Sequence, residues 1–357
     1  MHLVTFERVA PEGGHRSERL DQRETMREKG RSLDAIETSR PGSRRLGAVL
    51  PAGPSAGDVV DLNRALALKL AFNDVGAPEV EADSLVPSDA LRFLQRLDRA
   101  LPAAREVLAF VLDALERYDA PDLTRAGVVE PRARVRLCAP VPRPGKIVAV
   151  ARNYAAHAAE AGGQPPGEPV LFLKPASAVV GPGDDVVIPQ SCERVDFEGE
   201  LAVVIGRRAR RVPAERALGF VAGYTVANDV SARDYQNVRG QSYIGKACDT
   251  FAPLGPVLVT ADAIPDPQDL GLRTVLSGEL MQAARTKEMI FPVSDLVAFA
   301  SCLMTLEPGD VLLTGTPAGV GAHRRPPRWL APGDVVEVEI ERIGRLHNHV
   351  RRERDEE

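Results

Sequence analysis

The sequence predicts an α+β protein that is rich in β-strand, with a small N-terminal α/β module in front of a larger domain. From about Pro142 onward, short β-branched runs such as KIVAV, PVLFL and DVLLTG alternate with Gly, Pro and Asp residues, which is typical of strands joined by turns. Residues 88–117 instead space their leucines at helical intervals, which predicts helices there. Hydrophobic residues make up 44% of the 357, enough to fill a substantial core.

The change in sequence pattern predicts the domain boundaries. We place the N-terminal module at 1–140, the larger domain at 141–350 and a charged tail at 351–357. Within the module, residues 11–45 are mainly charged or small, and we expect a flexible insert because such a segment cannot build an apolar face.

Local signals predict where helices and turns begin. Asp61 is the predicted N-cap of a helix that ends at Phe72, since a carboxylate can accept a free amide of the first turn. Ser88 is predicted to cap the helical segment at 88–117, and Pro102 to open its second helix. The tripeptide Pro-Gly-Asp predicts type II turns, because Gly accepts the positive φ that they require. It occurs at 182–184, 308–310 and 332–334.

Charge and cysteine content exclude several classes of protein. The formal net charge is -5, so no cationic excess favours nucleic acid or an anionic membrane as a partner. The four cysteines form no C-x-x-C pair, which is the spacing of a zinc finger. The first residues lack the apolar core of a signal peptide, and no apolar run reaches membrane-spanning length. We therefore expect a cytoplasmic protein.

An acidic alternation marks the most informative segment, VDFEGELAVVIG. In a strand, alternate residues share a face, which would put Asp196, Glu198 and Glu200 together. Two interpretations fit this pattern. The face is either a solvated strand edge that prevents aggregation or a cation site, because sheltered carboxylates repel one another unless a cation compensates.

A second segment favours the cation site. The apolar run AGYTVAND reads as a strand that ends by presenting Asn228 and Asp229, and strand ends commonly deliver functional side chains. Carboxylate oxygens suit Mg²⁺, with Mn²⁺ and Ca²⁺ as alternatives. Zinc is less suited, because neither Cys nor His belongs to the set.

Six segments occur in order between about residues 144 and 350 and resemble the fumarylacetoacetate hydrolase family. They are ARNYAAHAAEAG, VLFLKPASAVVGPGD, VDFEGELAVVIG, YTVANDVSARDYQ, GKACDTFAPLGP and LEPGDVLLTGTPAGVG. The resemblance implies the mixed β-roll of that family's C-terminal domain, usually in a homodimer. It also implies a metal site made by Glu198, Glu200 and Asp229, with Asp196 as a neighbour of the ligands.

The resemblance further implies a reaction. We expect a metal-dependent hydrolase that cleaves a C–C bond in a small 2,4-dioxo acid, such as an acylpyruvate, a fumarylacetoacetate-like compound or a diketo-deoxy sugar acid. The products would be an oxo acid such as pyruvate and a carboxylic acid. Two alternatives use the same site, namely oxaloacetate decarboxylation and the isomerisation of a 2-hydroxyhepta-2,4-diene-1,7-dioate type of substrate. A noncatalytic metalloprotein that binds oxo acids is the alternative from another class.

The resemblance also assigns catalytic roles. His157 and Glu160 lie three residues apart in an alanine-rich stretch, so a helix would place them on one face. Spacing alone favours an inconsequential surface pair, whereas the resemblance implies a base and its orienting partner. Lys246 is the implied stabiliser of an enolate or oxyanion. Arg233 and Gln236 are implied substrate contacts, although a structural salt bridge is a rival role for Arg233.

Two further residues are candidates for binding substrate. Thr316 lies in TGTPAGVG, a loop whose backbone amides and hydroxyl suit a carboxylate. The loop lacks the Lys-Ser/Thr of a nucleotide-binding P-loop. Lys174, at a predicted strand end, either points into the cavity or covers apolar surface.

Overall fold

The computed structural model describes residues 1–9, 43–51, 55–117, 120–236 and 242–354. Most of the predicted insert at 11–45, and the last three residues of the predicted tail, lie outside the described residues. The chain divides into two compact units. The smaller is Phe6–Arg136, and the larger comprises Met1–Thr5 together with Leu137–Glu357.

The smaller unit combines short antiparallel strands with helices. The strands that begin before residue 137 are β1 (His2–Arg8), β2 (Arg45–Val49), β3 (Val59–Asp61), β4 (Val129–Glu130) and β5 (Val135–Cys138). Strand β3 pairs with β2 on one side and with β4 on the other. The described helices are α1 (Leu62–Phe72), α2 (Pro78–Leu85), α3 (Ala90–Leu94), α4 (Leu97–Arg117) and α5 (Ala120–Arg125).

Helix ends in the smaller unit test the predicted caps. The Asp61 side chain accepts the Arg64 amide at the start of α1, and this helix ends at Phe72, so that prediction is confirmed. The prediction for Ser88 is wrong, because Asp89 caps α3 by accepting the Arg92 amide. Pro102 does not open a helix; it lies inside α4.

The larger unit contains most of the strands. They are β6 (Ile147–Ala151), β7 (Val170–Lys174), β8 (Val179–Val180), β9 (Val186–Ile188), β10 (Val195–Asp196), β11 (Gly199–Ile205), β12 (Val221–Asn228), β13 (Ser231–Ala232), β14 (Ala252–Thr260), β15 (Gly271–Leu276), β16 (Glu279–Arg285), β17 (Val311–Leu313), β18 (Val335–Ile340) and β19 (Gly344–Arg352). Its described helices are α6 (Ala155–Glu160), α7 (Ala214–Ala217) and α8 (Val293–Leu303). The predicted fold class, strand-rich α+β, is confirmed.

Two mixed sheets and a two-stranded ribbon organise the larger unit. The first sheet has the order β14-β12-β11-β17-β6-β7, and the second has the order β16-β15-β18-β19-β9. Among the described strand pairs of the larger unit, pairing is antiparallel except between β17 and β6, between β14 and the short β8, and between β19 and β9. Strands β10 and β13 form the ribbon. Because β11 contacts β15 and β18, the two sheets pack against each other.

The acidic segment differs from the predicted continuous strand. Strand β10 ends at Asp196 and β11 begins at Gly199, so Glu198 lies in the break. Every residue of β11 is buried, and the strand lies between β12 and β17. The interpretation as a solvated strand edge is therefore wrong.

Pro-Gly-Asp turns lead into strands of the larger unit. Gly183, Gly309 and Gly333 all have positive φ, so the predicted turns are confirmed. In the part of the chain that the structure describes, no helix has the length and apolar composition needed to cross a membrane.

Candidate active site

Three buried carboxylates meet where β11 and β12 pair. The register aligns Gly199 with Asn228, and this brings Glu198 and Asp229 together. The Asp229 amide donates to the Glu198 carbonyl over 2.8 Å, and the Glu198 amide donates to Asn228 Oδ1 over 2.9 Å. One carboxylate oxygen each of Glu198, Glu200 and Asp229 lies within 4.8 Å of the others.

The electrostatics of this cluster call for positive charge. Burial, followed by repulsion from Asp229 and Glu198, raises the pKa of Glu200 well above its ordinary value. Burial also acts to raise the pKa of Glu198, but Lys246 and Arg233 outweigh it and hold that pKa well below the ordinary value. A buried set of three carboxylate oxygens suits a divalent cation, which would relieve the repulsion.

Two buried lysines contact the cluster. Lys246 Nζ donates to Glu198 Oε2 over 2.8 Å and to Asp229 Oδ2 over 2.6 Å. Lys174 Nζ lies 2.6 Å from Asp229 Oδ1 and donates to the Val230 carbonyl. Lys174 is therefore an internal partner of Asp229, and burial lowers its pKa. It covers no surface and is not among the residues that line the cavity described below.

Arg233 forms a structural salt bridge, which was the alternative to its predicted contact with substrate. It donates to Asp196 Oδ2 from Nε and Nη2, over 3.0 and 2.7 Å, and to Glu198 Oε1 over 2.7 Å. Its Nη1 atom donates to Gln236 Oε1 over 2.7 Å. Arg233 and Gln236 also line the cavity, so the ion pair does not remove them from reach of a ligand.

His157 and Glu160 form a hydrogen-bonded dyad on α6. His157 Nδ1 lies 2.8 Å from Glu160 Oε1. The Gly319 amide donates to the same carboxylate over 3.0 Å. Burial acts to raise the pKa of Glu160, but its bonds with His157 and Gly319 outweigh it and lower that pKa.

The loop TGTPAGVG binds carboxylates, but they are the protein's own. The Gly315 amide donates to Glu200 over 2.6 Å. The Gly319 amide reaches Glu160 in the dyad, and the Gly321 amide donates to Asp196 over 2.8 Å. One glycine-rich loop thus fixes three carboxylates of the site.

Thr316 lies in the same loop and is held by neighbouring protein groups. Its hydroxyl donates to the Gly199 carbonyl over 3.0 Å and accepts from Gln282 Nε2 over 2.8 Å. Gln282 Oε1 also accepts the Gly199 amide. Sequence reasoning missed Gln282, because an isolated glutamine in a strand carries no motif. Thr316 lines the cavity, and its contact with substrate remains a prediction.

A cavity of about 620 Å³ lies beside the carboxylates. Glu198 is the member of the cluster that lines it. The other predicted residues in its lining are His157, Arg233, Gln236, Lys246 and Thr316. Residues that sequence reasoning missed include Arg152, Phe172, Arg194, His323 and Trp329. They come from segments far apart along the chain, so only the folded structure brings them together.

The fold and the site define an α+β domain with a buried carboxylate centre beside a cationic cavity. A family model described as "Fumarylacetoacetate (FAA) hydrolase C-terminal" matches residues 146–351. The chain therefore belongs to this family, and the predicted resemblance is confirmed.

Relatives and solved structures agree with this membership. "Oxaloacetate tautomerase Fahd2a, mitochondrial" of Rattus norvegicus is 43% identical over 269 residues, which are 75% of this chain and 81% of the relative. A structure described as 2-hydroxyhepta-2,4-diene-1,7-dioate isomerase from Mycobacterium marinum is 46% identical, with a TM-score of 0.56. The match covers 63% of this chain and 81% of the Mycobacterium marinum chain. Fumarylacetoacetate hydrolase of Exiguobacterium antarcticum is 35% identical, with a TM-score of 0.65, and covers 88% and 97%.

Proposed function

We propose that this chain is a divalent-metal-dependent enzyme that catalyses the keto–enol tautomerisation of a small oxo acid of the oxaloacetate type. The observation that carries the proposal is the buried cluster of Glu198, Glu200 and Asp229 beside a cavity that His157 and Lys246 also line. The named activity of the rat relative supports this reaction. Tautomerisation is therefore proposed ahead of the C–C hydrolysis that the sequence led us to expect.

The carboxylates would hold Mg²⁺, or Mn²⁺ or Ca²⁺ in its place, because all three ions prefer oxygen ligands. When bound, the ion supplies Lewis-acid polarisation of a substrate oxygen. Glu160 engages Nδ1 of His157, which leaves Nε2 as the base that takes a proton from the carbon next to the oxo group. The imidazolium then gives this proton to the enolate oxygen, which yields the enol and restores the neutral base.

Lys246 stabilises the negative charge that this proton transfer creates. Burial acts to lower its pKa, but Asp229 and Glu198 outweigh that effect and raise it, so Lys246 stays an ammonium. A fixed positive charge in a site sheltered from water stabilises a developing enolate more than it would in bulk water.

The test is to follow the enol absorbance of oxaloacetate with Mg²⁺ and the purified chain. Replacing Glu160→Gln removes the charge that orients His157, and we expect kcat to fall by roughly 100-fold or more. Calorimetric Mg²⁺ binding should persist in this variant, because Glu160 is not a proposed ligand. Wild-type turnover in excess chelator, or an undiminished rate in the variant, would overturn the proposal.

Hydrolysis of a C–C bond in a 2,4-dioxo acid is the second candidate. The His157–Glu160 dyad favours it, since a base held by a carboxylate can also activate water. Mass spectrometry of the products separates the alternatives. Two organic fragments indicate hydrolysis, release of CO₂ indicates decarboxylation, and an unchanged mass indicates tautomerisation or isomerisation. Metal-dependent binding without any product indicates a noncatalytic protein.

We further propose a homodimer that acts on small molecules in the cytoplasm. Edge strand β7 exposes Val170 and Leu173, and the adjacent 3-10 helix exposes Tyr243 and Ile244. A second copy would cover this apolar surface, which is costly to leave in water. The rat relative carries a mitochondrial name, so the cytoplasmic location is kept as a prediction that cell fractionation tests.

A further inference from the structure

The charges that line the cavity are unequally compensated. Three of the lining cations contact carboxylates, namely Arg194 with Asp234, Arg233 with Asp196 and Glu198, and Lys246 with Glu198 and Asp229. Arg152 differs from them. Within the described part of the chain, its guanidinium has no hydrogen-bonded or ion-paired partner, and its side chain is exposed.

The backbone at Arg152 is held in an unusual conformation. Its φ is 54°, in the left-handed region that residues with a Cβ seldom occupy. The next residue fixes the chain there, because the Asn153 side chain donates to the Phe291 and Thr314 carbonyls and accepts the Phe291 amide, over 2.8 to 3.0 Å. Such strain persists only where the surroundings impose it, and it is concentrated at functional sites.

The polar residues of the lining differ in burial. Glu198 and Lys246 are buried, whereas Arg152 is exposed at the point where β6 has ended. The apolar side chains of Phe172 and Trp329 also line the cavity. A small ligand with a polar group, a short carbon chain and an anionic group would match these buried polar, apolar and exposed cationic side chains.

We propose that Arg152 binds the second carboxylate of a dicarboxylic oxo acid and makes the site selective for diacids. The planar guanidinium matches a carboxylate through two parallel hydrogen bonds. The orientation of the diacid, with its oxo-acid end toward Glu198, rests on the proposed function. The observation that Arg152 is an uncompensated cation in the lining is independent of the proposed function.

Two variants separate charge from backbone effects. Arg152→Asn removes the charge, and Asn tolerates positive φ; Arg152→Lys keeps the charge but loses the two-pronged geometry. With Mg²⁺ present, binding of 2-oxoglutarate and of its 5-methyl ester is measured by fluorescence of Trp329, the single tryptophan of the chain. Turnover of oxaloacetate and of its 4-methyl ester is measured in parallel. Arg194→Leu is the control, because Arg194 already contacts Asp234.

We expect the wild type to favour each diacid over its ester. Arg152→Asn should weaken diacid binding by about 10- to 100-fold, the range of a hydrogen-bonded charge pair, and leave ester binding unchanged. Arg152→Lys should restore part of the preference, and Arg194→Leu should keep it.

The proposal is overturned if the wild type shows no preference, if Arg152→Asn weakens diacid and ester equally, or if Arg194→Leu is the variant that loses the preference. A diacid preference in binding that depends on Arg152, without turnover of any oxo acid, would support this inference while refuting the proposed function.

Discussion

At the scale of single residues, Glu200 shows that a buried carboxylate suited to binding a cation lowers the stability of the fold when it is ionised. Its carboxylate is buried against Asp229 and Glu198, and its pKa is raised. The folded chain therefore binds this proton more tightly than the unfolded chain does. It follows that the contribution of Glu200 to stability is most favourable below the ordinary pKa of a glutamate and is lost as the pH rises toward the raised value.

Replacing Glu200→Gln should remove this pH dependence. In chelator at pH 7 to 8, we expect the variant to melt higher than the wild type, by about 2–4 °C for each kcal/mol gained. Added Mg²⁺ should then stabilise the wild type, by about 2.7 kcal/mol at 100 times its Kd, and leave the variant unchanged. Thermal melts over a pH series with and without Mg²⁺ measure both effects. An equal Mg²⁺ shift in the two proteins would contradict the assignment of Glu200 as a ligand.

At the scale of elements, the glycine-rich loop connects the carboxylate cluster to the dyad. Gly319 has a φ of 106°, and a Cβ built on it would lie 2.2 Å from the Met281 carbonyl oxygen. This position needs glycine for both its backbone angle and its close approach to β16. Gly333 offers a matched comparison, because its φ is 93° but no atom lies within 4 Å of a built Cβ.

Gly319→Ala and Gly333→Ala should therefore differ in both stability and activity. The unfavourable φ costs each variant about 1–2 kcal/mol. The clash adds about 1–3 kcal/mol in Gly319→Ala alone, and it should displace the amide that holds Glu160. Urea unfolding and oxo-acid turnover measure the two effects. Similar losses in both variants would show that the close approach to Met281 is unimportant.

Local elements were predictable from sequence where one residue decides the geometry. Asp61 caps α1 as predicted, and the Pro-Gly-Asp turns carry their positive φ at Gly. The sequence predicted Ser88 as the cap of α3, whereas the structure has the next residue, Asp89, in that position. Ser and Asp are both good caps, and only the backbone path selects between them. The predicted acidic strand failed for a nonlocal reason, since the Asn228 side chain takes the Glu198 amide and breaks the strand.

At the scale of the whole molecule, the site depends on contacts between distant segments. The cluster joins residues near 198 and 229, and the loop amides come from 315–321. Ordered motifs located these parts because each keeps its own local pattern. Arg152 and Gln282 were not assigned, because their surroundings come from distant parts of the chain. Asn153, the neighbour of Arg152, donates to the Thr314 carbonyl 161 residues away, and Gln282 accepts the Gly199 amide 83 residues away.

The apolar surface on β7 gives a prediction about assembly. Leu173→Glu should convert a dimer to a monomer, because burying an unpaired carboxylate in an interface costs several kcal/mol. Leu280→Glu is the matched control, since Leu280 is also an exposed leucine on an edge strand, with 54% of its surface accessible against 43% for Leu173. Light scattering after size-exclusion chromatography measures the mass. A monomeric wild type, or dissociation by Leu280→Glu alone, would refute this interface.

The buried lysines have a consequence for how the protein matures in a cell. Lys174 and Lys246 hold Asp229 from both of its oxygens, and Lys246 also holds Glu198. The Lys246 ammonium, whose pKa is raised by Asp229 and Glu198, thus supplies part of the positive charge that a metal ion would bring. We expect newly made chains to reach a compact, protease-resistant form when divalent ions are scarce, and to become active later without refolding. Metal supply would then determine the fraction of folded protein that is active, and not the amount of protein that escapes proteolysis.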